Sequence, residues 1–72
     1  MVSSPTAESR AIEALRHNAI PALRKLAIEE TDEAVVIRGS VGSYYLKQLA
    51  QEALMPHLDG RALFNRVTVV RD

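Results

Sequence analysis

Apolar residues near the start of the chain recur at helical spacing. They are Ala11, Ile12, Leu15 and Ala19. This spacing is typical of an amphipathic helix that buries one face. Ser4 and Pro5 suit the cap and the first turn of such a helix, and Pro21 disfavours helical geometry at Ile20. We therefore predict a first helix that begins near Ser4 and ends at 18–20, followed by a short connection.

Between residues 25 and 41 the apolar period changes from helical to two. The residues on one side of this alternation are Leu26, Ile28, Val35, Ile37, Gly39 and Val41. A period of two is typical of β-strands with one buried face. The polar segment 30–33 separates the two halves, so the pattern predicts two antiparallel strands joined as a hairpin with a solvated tip.

A second helical stripe follows, and then a third alternating segment. The stripe consists of Leu46, Leu49, Ala50, Ala53 and His57. Ser43 is placed to cap this helix over 44–58, Pro56 should kink or end it, and Gly60 supplies the exit. Residues 63–71 then alternate as a strand, whose inward side chains are expected to include Val67 and Val69.

The predicted element order is α-β-β-α-β. A helix between the second and third strands requires a crossover, so these strands should be parallel, whereas the hairpin strands are antiparallel. The expected fold class is α+β, with two helices packed on one face of a mixed three-stranded sheet. We expect a flexible N-terminus over 1–7 and one domain over 8–72.

Composition narrows the possible functions. The 72 residues include no cysteine, so disulfides and thiolate metal clusters are excluded. Nine basic residues balance nine acidic ones, which argues against a nucleic-acid binder. Neither a secretory signal nor an apolar run of bilayer-spanning length is visible. The expected location is cytoplasmic for the chain as written, or the envelope if the domain belongs to a longer exported protein.

The residue types that carry catalysis or bind metals are not arranged for either role. His17 and His57 lie on different predicted helices without metal-ligand spacing. Ser40 and Ser43 flank a glycine without a nucleophile-elbow pattern. The acidic run 29–33 lacks the spacing of a calcium loop and is interpreted as the hairpin tip. We expect a non-enzymatic protein with no metal and no cofactor.

The three glycines are interpreted as structural. Gly39 and Gly42 form the GXXG string found in KH domains, but here the string spans a strand end and contains no basic residue. We instead expect Gly39 to allow close packing of a helix on its strand, Gly42 to form the turn into the second helix, and Gly60 to form the exit from it.

Two surfaces remain as candidates for binding. One is the outer side of the second helix, with Tyr44, Gln48, Gln51 and Met55, which either contacts a lipid headgroup region or a partner, or packs on neighbouring loops. The other is the helix-free sheet face, where Val36, Phe64 and Val70 are expected to be adjacent to one another. This face is either half-solvated or a surface for weak homodimerisation. The candidate lipid or partner residues are Val36, Tyr44, Lys47, Met55, Phe64, Arg66 and Val70.

Several segments in this order resemble the BON domain, named for bacterial osmotically induced and nodulation proteins. They are Leu23 to Ile28, Val35 to Val41, Ser43 with Lys47, Ala50 and Ala53, Leu58 to Gly60, and Asn65 to Val69. The resemblance covers roughly 8–71. Three departures from the family pattern are Arg61, where members usually carry a hydrophobic residue, a spacing from Gly60 to Asn65 that is about one residue short of the common pattern, and a hairpin without its frequent glycine. They bear on the register of the third strand rather than on the fold.

The resemblance implies binding rather than catalysis. BON domains are regarded as modules that associate with phospholipid membranes or envelope proteins, and no catalytic residue carries over. Their glycines, matched here by Gly39 and Gly60, are structural in the family. We therefore expect a phospholipid surface or another protein as the partner, with self-association through the open sheet face as the alternative. The zero net charge predicts that any membrane attraction is weak or local.

Overall fold

The computed structural model describes residues 10–70. Within this range the chain forms helix α1 (Arg10–Arg16), helix α2 (Pro21–Arg24), strands β1 (Ala27–Glu30) and β2 (Ala34–Val41), helix α3 (Tyr44–Leu54), a 3-10 turn (Met55–His57) and strand β3 (Ala62–Val69). The predicted α+β class and element order are confirmed, with the one-turn helix α2 as an addition.

The three strands form one mixed sheet in the order β1-β2-β3. β1 pairs antiparallel with β2, with Ile28 opposite Ile37, and β2 pairs parallel with β3, with Val35 opposite Leu63. The antiparallel hairpin and the parallel crossover pair are therefore both as predicted. Thr31 closes the hairpin, since its Oγ1 accepts hydrogen bonds from the backbone N–H groups of Glu33 and Ala34.

The helices cover one face of the sheet. The buried core is formed by Ala11, Leu15, Leu23, Val35, Ile37, Val41, Ala50, Leu54 and Val67. Each buried strand residue belongs to the inward set that the period of two predicted. Val67 is buried as expected, whereas Val69 is only half-buried at the sheet end.

The first helix ends earlier than predicted, and Pro21 plays a different part. Ala19 was placed in the helix but lies outside it and is exposed. Asn18 turns the chain, because its Oδ1 accepts the backbone N–H of Ile20 at 2.9 Å. Ile20 is extended, as a residue before proline prefers, and Pro21 then occupies the first turn of α2. The predicted connection is thus a helix, while the predicted start near Ser4 lies outside the described residues.

The second predicted helix is shorter than expected but capped as expected. The Oγ of Ser43 accepts the backbone N–H of Leu46 at 3.2 Å, which satisfies one of the free donors of the first turn. α3 ends at Leu54, and Pro56 lies in the 3-10 turn that continues it. His57, predicted on the core stripe, is half-buried in this turn.

The three glycines differ in whether their backbone conformation and surroundings require a residue without a side chain. Gly39 has φ +136°, and a Cβ built there would lie 2.6 Å from Leu26 Cδ2. The close neighbour is therefore Leu26, in the link between α2 and β1, and the expectation that a helix packs on Gly39 is wrong. Gly60 has φ +85°, consistent with its predicted exit role. Gly42 has neither a positive φ nor any atom within 4 Å of an added Cβ, so no steric need for glycine exists there.

Arg61 joins the hairpin to the end of α3. Its guanidinium donates to the Glu30 carboxylate at 2.8 Å and to the carbonyl oxygens of His57 and Leu58 at 3.0 and 2.8 Å. The arginine that departs from the family pattern therefore occupies a defined position. Glu30, expected to be part of a solvated tip, is only 15% exposed at its side chain.

Candidate binding surfaces

The two histidines meet at a shallow depression that sequence spacing did not reveal. His17 and His57 line it together with Arg10, Glu13 and Ala14. No group of three or more His, Asp or Glu residues suited to holding a metal ion occurs within residues 10–70.

The helix-free face of the sheet is organised in cross-strand rows. Val36 lies beside Phe64, Arg38 beside Arg66, and Ser40 beside Thr68. The Arg66 guanidinium carbon lies 6.0 Å from the centroid of the Phe64 ring, and Arg38 forms an exposed ion pair with Glu29 at 3.3 Å. An apolar row and a cationic row thus adjoin on one open surface.

Val70 does not belong to the apolar row. Its backbone N–H bonds to the carbonyl of Val41, which places it just beyond the end of β3. At about 3.3 Å per strand residue, Val70 lies roughly 20 Å from Phe64. The expectation that Val36, Phe64 and Val70 are adjacent is therefore wrong, because residues of one face can still occupy opposite ends of a strand.

The candidate residues of α3 are also separated. Tyr44 is 66% exposed at the start of the helix, whereas the exposed Met55 follows its last residue, about 16 Å away at 1.5 Å per residue. Lys47 is half-buried, and its carbonyl accepts a hydrogen bond from the Asn65 side chain at 2.9 Å. The three residues do not form one contact surface.

Tyr45 is a surface residue that the sequence reasoning missed. It is 69% exposed and follows Tyr44 directly. Gly42 and Ser43 link the end of β2 to α3, so both tyrosines lie at the sheet end where Val41 and Val70 pair. We call this the tyrosine end, defined by Val41–Tyr45 and Val70, and the opposite end, at 30–33 and 59–61, the turn end.

Charge is distributed unevenly between the two ends. The half of the sheet nearer the tyrosine end carries Arg38 and Arg66, with Arg24 and Lys25 just before β1 and Glu29 paired with Arg38, whereas the turn end carries Glu30, Asp32, Glu33 and Asp59 with Arg61. The chain brings these groups together from segments far apart in sequence. Although the net charge is zero, basic and acidic residues are therefore separated along the direction of the strands.

A groove of about 340 Å³ lies between α1 and the edge strand β1. Its apolar lining comes from Ile12, Leu15, Leu26, Ala27 and Ile28, and two cations, Arg16 and Arg24, border it. Arg24 is oriented by a 3.0 Å hydrogen bond from its Nη1 to the carbonyl of Asn18. Neither the groove nor its cations was predicted, because α2 positions Arg24 and α2 itself was not foreseen.

No family model, curated protein or solved structure matches this chain. The assignment of a function therefore depends on the surfaces described above. Among residues 10–70, none of the helices has the length and apolar character needed to cross a bilayer.

Proposed function

We propose that the chain is a non-enzymatic, BON-like binding module that associates with anionic phospholipid surfaces. The observation that carries this proposal is the charge polarity, with basic residues gathered toward the tyrosine end. Tyrosine is favoured at the membrane–water interface because its ring is apolar and its hydroxyl is polar. Tyr44 and Tyr45 thus add interfacial side chains to a locally cationic surface.

In this mode the tyrosine end faces the membrane and the turn end points away. Each basic residue near an anionic surface contributes about 1 kcal/mol, and the attraction falls off within a Debye length. Arg66 and Arg38 then contribute on the open face, although Glu29 offsets part of the Arg38 charge. A partner protein of the envelope that presents an equally anionic surface is the second partner class.

We expect the protein to co-sediment with phosphatidylglycerol vesicles at low salt and not with phosphatidylcholine vesicles. Replacing both Arg38 and Arg66 with Gln should lower the partition coefficient about tenfold to thirtyfold, because two contacts of about 1 kcal/mol each are lost and Glu29 already offsets part of the Arg38 charge. Arg10→Gln, on α1, is the matched control and should bind like the unmodified protein. The proposal fails if the protein remains in the supernatant with anionic vesicles, or if the double variant binds as strongly as the control.

The alternative is self-association through the open face. It is favoured by the side-by-side placement of Val36 and the 46% exposed Phe64. We then expect light scattering at high protein concentration to give a dimer mass that Phe64→Glu returns to the monomer value. Val70→Glu, at the far end of the strand, should leave the dimer intact. A monomer mass for the unmodified protein at all concentrations would exclude this alternative.

A further inference from the structure

The groove between α1 and β1 combines an apolar lining with a cationic border. Leu15 is buried, and Ile12, Leu26 and Ile28 are each half-buried along its sides. Arg16 and Arg24 are both exposed. A ligand that complements the groove therefore has an apolar side and a negative charge that lies next to Arg16 and Arg24.

The backbone of β1 adds a third feature. Thr31 N–H donates to the carbonyl of Ala34, so this pair is hydrogen-bonded at the start of the antiparallel ladder. Hydrogen-bonded and non-bonded pairs alternate along such a ladder. Glu29 and Ala27 consequently exchange bonds with β2, whereas Ile28 and Glu30 direct their backbone N–H and C=O groups away from β2, toward the outer edge of the sheet.

The position of the two arginines predicts the direction in which an added strand would run along β1. Arg24 is three residues before Ala27, the first residue of β1, and its guanidinium donates to the carbonyl of Asn18, two residues after Arg16, so both arginines border the groove on the side where β1 begins. A strand that pairs antiparallel with β1 ends where β1 begins. Its terminal carboxylate would therefore arrive at the two arginines.

These features favour a peptide over a lipid chain. An acyl chain fills an apolar groove but offers no partner to the outward backbone groups of Ile28. An added strand bonds these groups and places alternate side chains in the groove. We propose that this groove binds the extended carboxyl-terminal segment of another protein, with an apolar last residue, antiparallel to β1 and with its carboxylate at Arg16 and Arg24.

The test uses two pools of acetylated pentapeptides that end in Val, Leu or Ile. One pool has free carboxylates and the other has carboxamides. Titration of the isotope-labelled protein, followed by amide NMR, should show binding of the carboxylate pool, with the amide signals of Ile28 and Glu30 shifted downfield by new hydrogen bonds. The carboxamide pool should bind about tenfold more weakly, because it lacks the charge-assisted contacts.

Variants of the two arginines separate this site from other cationic surfaces. Arg16→Gln and Arg24→Gln should each weaken carboxylate binding about fivefold to tenfold and leave carboxamide binding unchanged. Arg10→Gln, earlier on α1, and the Arg38 and Arg66 variants of the open face should not affect it.

Three results would overturn the inference. They are equal affinity of the two pools, absence of binding by both pools at millimolar concentration, and binding without a change at Ile28 and Glu30. Dodecyl phosphate serves as the lipid-like probe. If it occupies the groove and neither pool does, the occupant is an amphiphile rather than a peptide. The inference is independent of the proposed function, since it shares only Arg24 with the basic residues named there and its variants and readout differ from those of the vesicle experiment.

Discussion

Replacing Gly39 with Ala should lower the free energy of unfolding by about 3 kcal/mol. A residue with a Cβ at a strained positive φ costs of order 1–3 kcal/mol, and the φ of Gly39 is +136°. The added Cβ would also lie 2.6 Å from Leu26 Cδ2, the end of a half-buried side chain that must shift, which adds a smaller cost to the backbone strain. The melting temperature of so small a domain should fall by about 15 °C.

The neighbouring glycine provides the control for this prediction. Gly42→Ala adds a methyl group to open space at an ordinary φ and should change stability by less than about 0.5 kcal/mol. Thermal unfolding followed by circular dichroism measures both variants. Equal melting temperatures for the two alanine variants would show that the conformation assigned to Gly39 is wrong.

A double-mutant cycle separates strain from the steric clash. Leu26→Ala removes the atom that the new Cβ would meet. If the clash dominates, Gly39→Ala should be less costly in the Leu26→Ala background by more than about 0.5 kcal/mol. If backbone strain dominates, the two costs should be additive, because truncating Leu26 does not change φ at position 39.

Local periodicity predicted most of the fold. Each inward residue of β2, from Val35 to Val41, follows from alternation alone, and the polar segment between the strands indicated the hairpin. The parallel pairing of β2 with β3 followed from the intervening helix. The sequence also identified the Ser43 cap, because capping depends on neighbours three residues apart.

The features that sequence reasoning missed depend on tertiary geometry. A proline can either end a helix or begin one, and the sequence pattern around Pro21 did not distinguish these two roles. Leu26 approaches Gly39 across thirteen residues of sequence, and Arg61 meets Glu30 across an even longer separation. Hydrophobic periodicity along the sequence gives no information about contacts between residues so far apart.

The candidate surfaces were predicted only in part for the same reason. Exposure of Tyr44, Met55, Phe64 and Val70 was foreseen correctly, whereas Val36, expected to be outside as well, is half-buried. Alternation identifies the face of a strand and not the position along it. The prediction that Phe64 and Val70 are adjacent was therefore wrong. Composition likewise reports the sum of charges, whereas the attraction to a surface depends on where Arg38 and Arg66 lie.

Replacing Arg61 with Ala should destabilise the protein by about 3 kcal/mol. Arg61 and Glu30 are only 16% and 15% exposed at their side chains, and removing one partner of such a partly buried ion pair leaves the other charge uncompensated. The substitution also removes the donors to the carbonyl oxygens of His57 and Leu58. Urea unfolding should show a lower midpoint with an unchanged slope.

The pair of Arg38 and Glu29 is the matched control. It also joins an arginine to a glutamate of β1, but its side chains are 53% and 62% exposed and the atoms are 3.3 Å apart. An exposed pair contributes about 1 kcal/mol or less, so Arg38→Ala should have a small effect that salt removes. Similar losses for the two arginine variants would contradict the position assigned to Arg61.

The partner of Arg61 can be tested by changing both residues. Glu30→Gln should reduce the cost of Arg61→Ala by about 1–2 kcal/mol, since no carboxylate is then left unpaired. Replacing Arg61 with Leu alone should remain destabilising, because the Glu30 carboxylate and the carbonyl oxygens of His57 and Leu58 still lose their donor. Adding Glu30→Met to Arg61→Leu should recover most of the loss, because an apolar pair of similar size can substitute for a buried ion pair.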